Sequence, residues 1–242
     1  MNALELFQSG KLQAAIQALG EEVRQAPLDS KRRIFLFELL CFAGEYDRAE
    51  KHLDIVAGSN QAANLGALLY RSALHAERTR QKMFAESSFP MPRPILETPG
   101  HLSGQSFSGF EDADPRIGGA LEVFVAGSYS WIDFQQIASI EVPRPKRLRD
   151  LLWTPAIVTT APEYKAMELG EVLLPVLSPL SWKESDDSVR LGRSTIWKPD
   201  PVHDEIPVGQ KLFLAGEECV PILELGKVEL SVHSGATDAL SS

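Results

Sequence analysis

The chain has 242 residues, 44% of them hydrophobic and 24% charged, which is ordinary for a soluble globular protein and excludes wholesale disorder. With 33 Asp and Glu against 24 Lys and Arg, its net charge of −9 argues against general binding to nucleic acid or to an anionic membrane. Residues 1–86 are balanced, with 11 basic and 11 acidic side chains, so the remainder carries the whole excess; this asymmetry is a first sign of two domains. Two cysteines, Cys41 and Cys219, cannot make a disulfide framework or a four-ligand zinc site, and they suit a reducing compartment. No signal-peptide pattern opens the chain, and no run of about 18 apolar residues is present, so a cytoplasmic location is expected.

Residues 1–86 read as helical: strong helix formers, only Pro27 as a breaker, and apolar residues three and four apart. Helices are predicted at about 2–9, 12–25, 30–43, 46–57 and 61–85. An internal period runs through them. Leu6, Gly10, Leu12 and Ala15 recur as Leu40, Gly44, Tyr46 and Ala49, each at an offset of 34 residues, the tetratricopeptide period. Gly10 and Gly44 permit tight inter-helix turns. Ala15 and Ala49 are small where paired helices cross. Asp29 or Ser30 is placed to cap the third helix. In the last helix Leu65, Leu68, Leu69 and Leu74 are expected to pack and close the stack.

Residues 87–109, rich in Pro, Gly and Ser, read as a linker. From 110 onward the pattern is that of strands and loops. Leu121–Val125 and Tyr129–Phe134 predict a hairpin, with a third strand over Ile137–Val142. Leu148–Trp153 predicts a short helix. Further strands are expected at Ala156–Thr160, Lys165–Pro175, Ser194–Trp197, Lys211–Ala215 and Val220–Leu225, the last two forming a closing hairpin. The expected architecture is therefore a tetratricopeptide-like helical domain over 1–86, a linker over 87–109, a β-rich α+β domain over 110–233 and a flexible tail over 234–242.

Chemistry-bearing motifs are scarce. The sequence has no phosphate loop, no dinucleotide fingerprint and no nucleophile elbow. Its five histidines are isolated from each other and from the cysteines, so neither a metal site nor a cofactor is expected. Glu111-Asp112-Ala113-Asp114, followed by Arg116, is the best polar cluster. Asp112, Asp114 and Arg116 are the centre of an alternative reading of residues 110–233 as a ligand-binding or hydrolytic module. Carboxylates so placed before Pro115 more often bond backbone N–H groups or pair with Arg116. Ser185–Arg190 reads as an acidic turn or helix cap. Arg144, Lys146, Arg147 and Arg149 form the only basic run; without interleaved aromatic residues they are read as solvated or salt-bridged.

An ordered set of stretches then carries a family resemblance. In the helical part these are Arg33-Ile34-Phe35-Leu36-Phe37-Glu38-Leu39-Leu40-Cys41 and Gly44-Glu45-Tyr46-Asp47-Arg48-Ala49. In the second part they are Phe110-Glu111-Asp112-Ala113-Asp114-Pro115-Arg116-Ile117-Gly118, Leu121-Glu122-Val123 with Trp131, and Arg149-Asp150-Leu151-Leu152-Trp153 with Pro155-Ala156. Arg190-Leu191-Gly192-Arg193-Ser194-Thr195 with Trp197, and Gly209-Gln210-Lys211, complete the set. The chain thereby resembles the ImpE (SciE-type) family, accessory proteins of bacterial type VI secretion loci. The resemblance implies a non-enzymatic accessory protein. Some similar proteins bind the small subunit of the contractile sheath, through that subunit's N-terminal helix.

Stacked helix pairs present a concave face that accepts an amphipathic helix or an extended peptide. Glu5, Gln8, Lys31, Glu38, Phe42, Ser72 and His75 are expected to line it, with Ile34 and Cys41 at its floor. So short a groove predicts modest affinity, about micromolar.

Overall fold

The structure, a computed structural model, describes residues 1–58, 61–90, 97–167 and 169–231, without the side chains of residues 61–63 and 165–167. The expected tail and the middle of the expected linker lie outside these residues.

Five helices open the chain: α1 (Ala3–Gln8), α2 (Leu12–Gln25), α3 (Ser30–Phe42), α4 (Tyr46–Ala57) and α5 (Gln61–Ala85). Their limits match the predicted ones because the signals are local. The Asn2 side chain accepts from Glu5 N and Glu5 bonds back to Asn2 N, a capping box at the start of α1. Asp29 accepts from Arg32 N at 3.0 Å and caps α3. The α1–α2 and α3–α4 turns are built alike. Gly10 and Gly44 take φ of 78° and 72°, and each following amide reaches back five residues, Lys11 N to Leu6 O and Glu45 N to Leu40 O, both at 2.9 Å. Ala15 and Ala49 are fully buried at the helix crossings.

The second part is built on an eight-stranded antiparallel sheet. Its strands are β1 (Gly100–Leu102), β2 (Gln105–Phe107), β4 (Ala120–Val125), β5 (Ser128–Asp133), β6 (Ile137–Glu141), β7 (Trp153–Thr160), β8 (Gly170–Pro175) and β13 (Lys227–Leu230), in spatial order β2-β1-β13-β6-β7-β8-β4-β5. A three-stranded sheet, order β12-β11-β3, joins β3 (Phe110–Asp112), β11 (Leu212–Ala215) and β12 (Glu218–Pro221). The hairpin β9 (Thr195–Asp200) and β10 (Asp204–Gly209) stands apart, and α6 (Asp187–Arg190) is a single turn. Phe110 stacks on Phe213 and Phe134 meets both rings edge-on, in one core with Val123, Ile132 and Ile140.

Several expectations need correction. Residues 100–107, read as linker, form the β1–β2 hairpin; Ser103 and Gly104 both take positive φ at its tip, and three-residue strands are too short to show alternation. Leu148–Trp153 splits into a 3₁₀ turn over Leu148–Leu151 and the first residue of β7. Lys165–Pro175 becomes strand only from Gly170. Val220–Leu225 breaks into the end of β12 and a 3₁₀ turn. The chain then inserts β13 between β1 and β6, so the β11–β12 hairpin does not close the fold. Leu74 is buried, but Leu65, Leu68 and Leu69 are 64%, 57% and 64% exposed, because no further described element covers that side of α5.

The helical core also takes in Phe124, Leu152, Trp153 and Leu191 from the second part. The helices and the sheet thus share one interior.

Candidate functional site

Helix α5 has two working faces. Its inner face aims Glu77, Arg80, Gln81 and Phe84 at the sheet, one and two turns apart. Arg80, with no solvent exposure, grips Glu122 of β4 bidentately, Nε to Oε1 at 2.7 Å and Nη2 to Oε2 at 2.9 Å, and also donates to Leu177 O at 3.0 Å. Tyr129 OH donates to Glu122 at 2.5 Å, and Lys211 Nζ lies 2.8 Å from it. Lys211 also pairs with Asp112. Glu77 accepts from Trp153 Nε1 at 3.1 Å, and Gln81 Oε1 accepts from Leu180 N at 2.9 Å and from Trp182 Nε1 at 3.1 Å.

Burial works against ionisation of Glu122, but Arg80 and Lys211 outweigh it and hold the carboxyl below its ordinary range. Burial pushes Asp112 up to about 7 against the pull of Lys211. A satisfied buried network of this kind fixes orientation more than it adds stability. It locks the helices to the sheet.

Asp112, Asp114 and Arg116 belong to the same buried layer. Asp112 accepts from Asp114 N at 2.9 Å, and Asp114 takes Arg116 Nε at 2.8 Å and Nη2 at 2.6 Å. The Arg116 guanidinium lies 5.0 Å from the Phe84 ring centre. The three converge, but onto each other, Lys211 and backbone; none lines the clefts described below. Among the described residues no group of three or more His, Cys, Asp or Glu side chains is placed to hold a metal ion.

The expected groove residues separate into three sets. Glu38, Cys41 and Phe42 are buried. Tyr70 OH donates to Glu38 at 2.8 Å, and burial pushes that carboxyl up to about 7 against this bond and the nearby Arg149. Cys41 and Phe42, with Glu77, Trp153, Ser178 and Trp182, surround a cavity of about 20 Å³, room for roughly one water. That side of α3, the expected hollow of the groove, is filled by the protein's own second part. Glu5, Gln8 and Lys31 are exposed and Ile34 is half-buried; Glu5 is spent on the α1 cap, and the Gln8 carbonyl accepts from Arg193 Nη1 at 2.9 Å.

Ser72 and His75 are brought together on the outer face of α5. With Arg71, Thr79 and the β4–β5 turn at Ala126–Ser128 they line an open cleft of about 620 Å³. The exposed Leu65, Leu68 and Leu69 continue the same stripe toward the N-terminus of the helix. Sequence reasoning placed these leucines in the core. It also passed over Arg80 and Gln81, although polar residues at core-facing positions of α5 were the available signal.

Arg144, Lys146 and Arg147 are exposed, and Arg149 lies 5.6 Å from the Tyr70 ring centre beside Asp150. Asp186 caps α6, and Asp187 pairs with Arg190 at 3.0 Å. Arg193, in the loop between α6 and β9, donates to the carbonyls of Phe7 and Gln8 at the end of α1, a second tie between the helices and the rest of the chain. No helix among the described residues is long and apolar enough to cross a membrane.

Comparison with known proteins agrees with this architecture. A crystal structure of a protein from Vibrio parahaemolyticus has the same fold, with a TM-score of 0.82, 22% identity, and coverage of 95% of this chain and 97% of that one. The type VI secretion system accessory component TagJ of Pseudomonas aeruginosa is 32% identical over 253 residues, which span 90% of this chain and 87% of that protein. Residues 104–229 match the ImpE protein family. The chain belongs to the ImpE family and is a relative of a type VI secretion accessory component.

Proposed function

We propose that this protein is a cytoplasmic, non-enzymatic adaptor of a type VI secretion system. It binds the small subunit of the sheath, through that subunit's N-terminal helix, on its tetratricopeptide-like helical part. The accessory role comes from the similarity to TagJ. The docking mode rests on one observation: α5 carries an uncovered apolar stripe, Leu65, Leu68 and Leu69, that runs into the open cleft at Ser72 and His75. An amphipathic helix laid along such a stripe buries its own apolar face with anchors three and four residues apart. Of the residues expected to form the docking groove, Ser72 and His75 lie along this stripe, while Glu5, Gln8 and Lys31 are exposed on α1 and α3. Glu38, Cys41 and Phe42 are instead buried in the interior.

Pull-down of the small sheath subunit, with and without its N-terminal helix, tests the reading. Full-length subunit is retained and the truncated one is lost. Equal recovery of the two overturns docking of that helix. With Leu65→Ser, Leu68→Ser and Leu69→Ser combined, recovery of the full-length subunit falls at least about tenfold, the loss of a few buried leucine contacts.

A further inference from the structure

A second cleft lies at the other edge of the eight-stranded sheet, away from β5. It has a volume of about 530 Å³ and opens between the β2–β3 connection and the β11–β12 hairpin, with Ser106, Phe107, Ser108, Glu111, Leu214 and Glu217 on its walls. Strand β2 is the last strand of its sheet and β3 the last of the three-stranded one, so each has one edge without a strand partner among the described residues.

Glu111 stands on β3 between Phe110 and Asp112, which both point into the buried layer, so its side chain takes the opposite face beside its register partner Leu214. Its Oε2 atom is shut off from solvent and has no hydrogen-bond partner among the described residues. A buried acceptor left unmet costs free energy and calls for a reason. Burial raises the Glu111 carboxyl above its ordinary range, and no cation among the described residues offsets it. Among the described residues, the only charged ones on the walls are Glu111 and Glu217, both acidic. The half-buried ring of Phe107, packed 5.6 Å from Phe110, supplies a flat apolar surface beside the carboxylate.

We propose that this cleft receives an extended segment of a partner protein bearing an arginine, which runs along the free edge of β2 and sets its guanidinium on Glu111. Strand addition supplies backbone hydrogen bonds, and a pocket beside the edge reads one side chain. Arginine fits better than lysine because its planar fork pairs with a carboxylate and stacks on an aromatic ring at once. The site is separate from the α5 face and does not depend on the function proposed above.

Amide NMR titration of the full chain tests this with a blocked Val-Arg-Val peptide and its citrulline counterpart. The arginine peptide is expected to shift the amides of Phe107, Glu111 and Gly216 in a saturable way. Citrulline, equal in shape but uncharged, binds about tenfold more weakly, and Glu111→Gln weakens the arginine peptide by about the same factor. The variant keeps or gains thermal stability, since it removes a charge that burial disfavours. Equal response to both peptides, or no response near Glu111, overturns the proposal. Shifts of the same amides with protein concentration alone overturn it too, because they identify a second copy of this chain as the occupant.

Discussion

The indole of Trp182 packs on Gly44 so closely that a Cβ at position 44 would come within 2.7 Å of three of its ring carbons. Gly44 is the turn between α3 and α4, and Trp182 comes from the far side of the chain, where its Nε1 bonds Gln81. The turn glycine therefore serves twice, as a left-handed residue and as the floor of an inter-part contact. Gly10, its counterpart 34 residues earlier, has only the Arg193 guanidinium at 3.3 Å from the same Cβ position.

Both glycines have positive φ, so Gly10→Ala is expected to cost about 1 kcal/mol of backbone strain. Gly44→Ala adds displacement of a packed indole and is expected to cost about 3 kcal/mol. Urea unfolding of the two variants reads the difference. Equal losses would show that the Trp182 contact is not rigid.

The Arg80–Glu122 pair is expected to behave as a buried clamp. Arg80→Ala takes the bidentate partner from Glu122, leaving it Lys211 and Tyr129, and should cost about 3–5 kcal/mol. Arg80→Met combined with Glu122→Leu keeps Lys211 with Asp112 and should cost much less than that single change. A double variant as unstable as Arg80→Ala would mean that the pair contributes net stability beyond orientation.

Glu38 gives a pH signature. Its folded carboxyl is raised to about 7 from the model-compound value of 4.5, so the fold favours the protonated form. The stability this supplies is full below about pH 4.5 and is lost as pH rises through about 7. Glu38→Gln mimics the protonated acid and removes that loss. The difference in stability between the natural chain and Glu38→Gln should therefore move against the natural chain from pH 4.5 to pH 7. Taking the difference cancels the Asp112 contribution of the same sign and the His52 contribution of opposite sign. Parallel stability curves would place Glu38 in a more solvated setting.

The leucine stripe on α5 should be neutral for folding. Leu68→Ser is expected to change stability by no more than about 0.5 kcal/mol, as for other uncovered surface positions, and to improve solubility. A loss above about 2 kcal/mol would show that the stripe is covered within the folded chain.

Helix limits, the two glycine turns and the buried crossing alanines were legible because each depends on residues within a few positions of one another. The β4–β5 hairpin was legible for the same reason. The β1–β2 hairpin and β13 were not, since strands of three or four residues gain their identity from distant partners, Gly100 from Leu230 and Lys227 from Glu141. The acidic motif at 112–116 was visible as a polar cluster, but its partner Lys211 lies about a hundred positions away.

Sequence alone determined that the first third of this chain is paired helices with a regular repeat and that the rest is strand-rich and acidic. Only the tertiary structure decided which helical face stays open. Trp153 and Trp182 fill the side of α3 that its apolar pattern left free, while Leu65, Leu68 and Leu69 are left in solvent. Hydrophobic periodicity marks a surface to be buried; what buries it, or whether anything does, depends on contacts far apart in the chain.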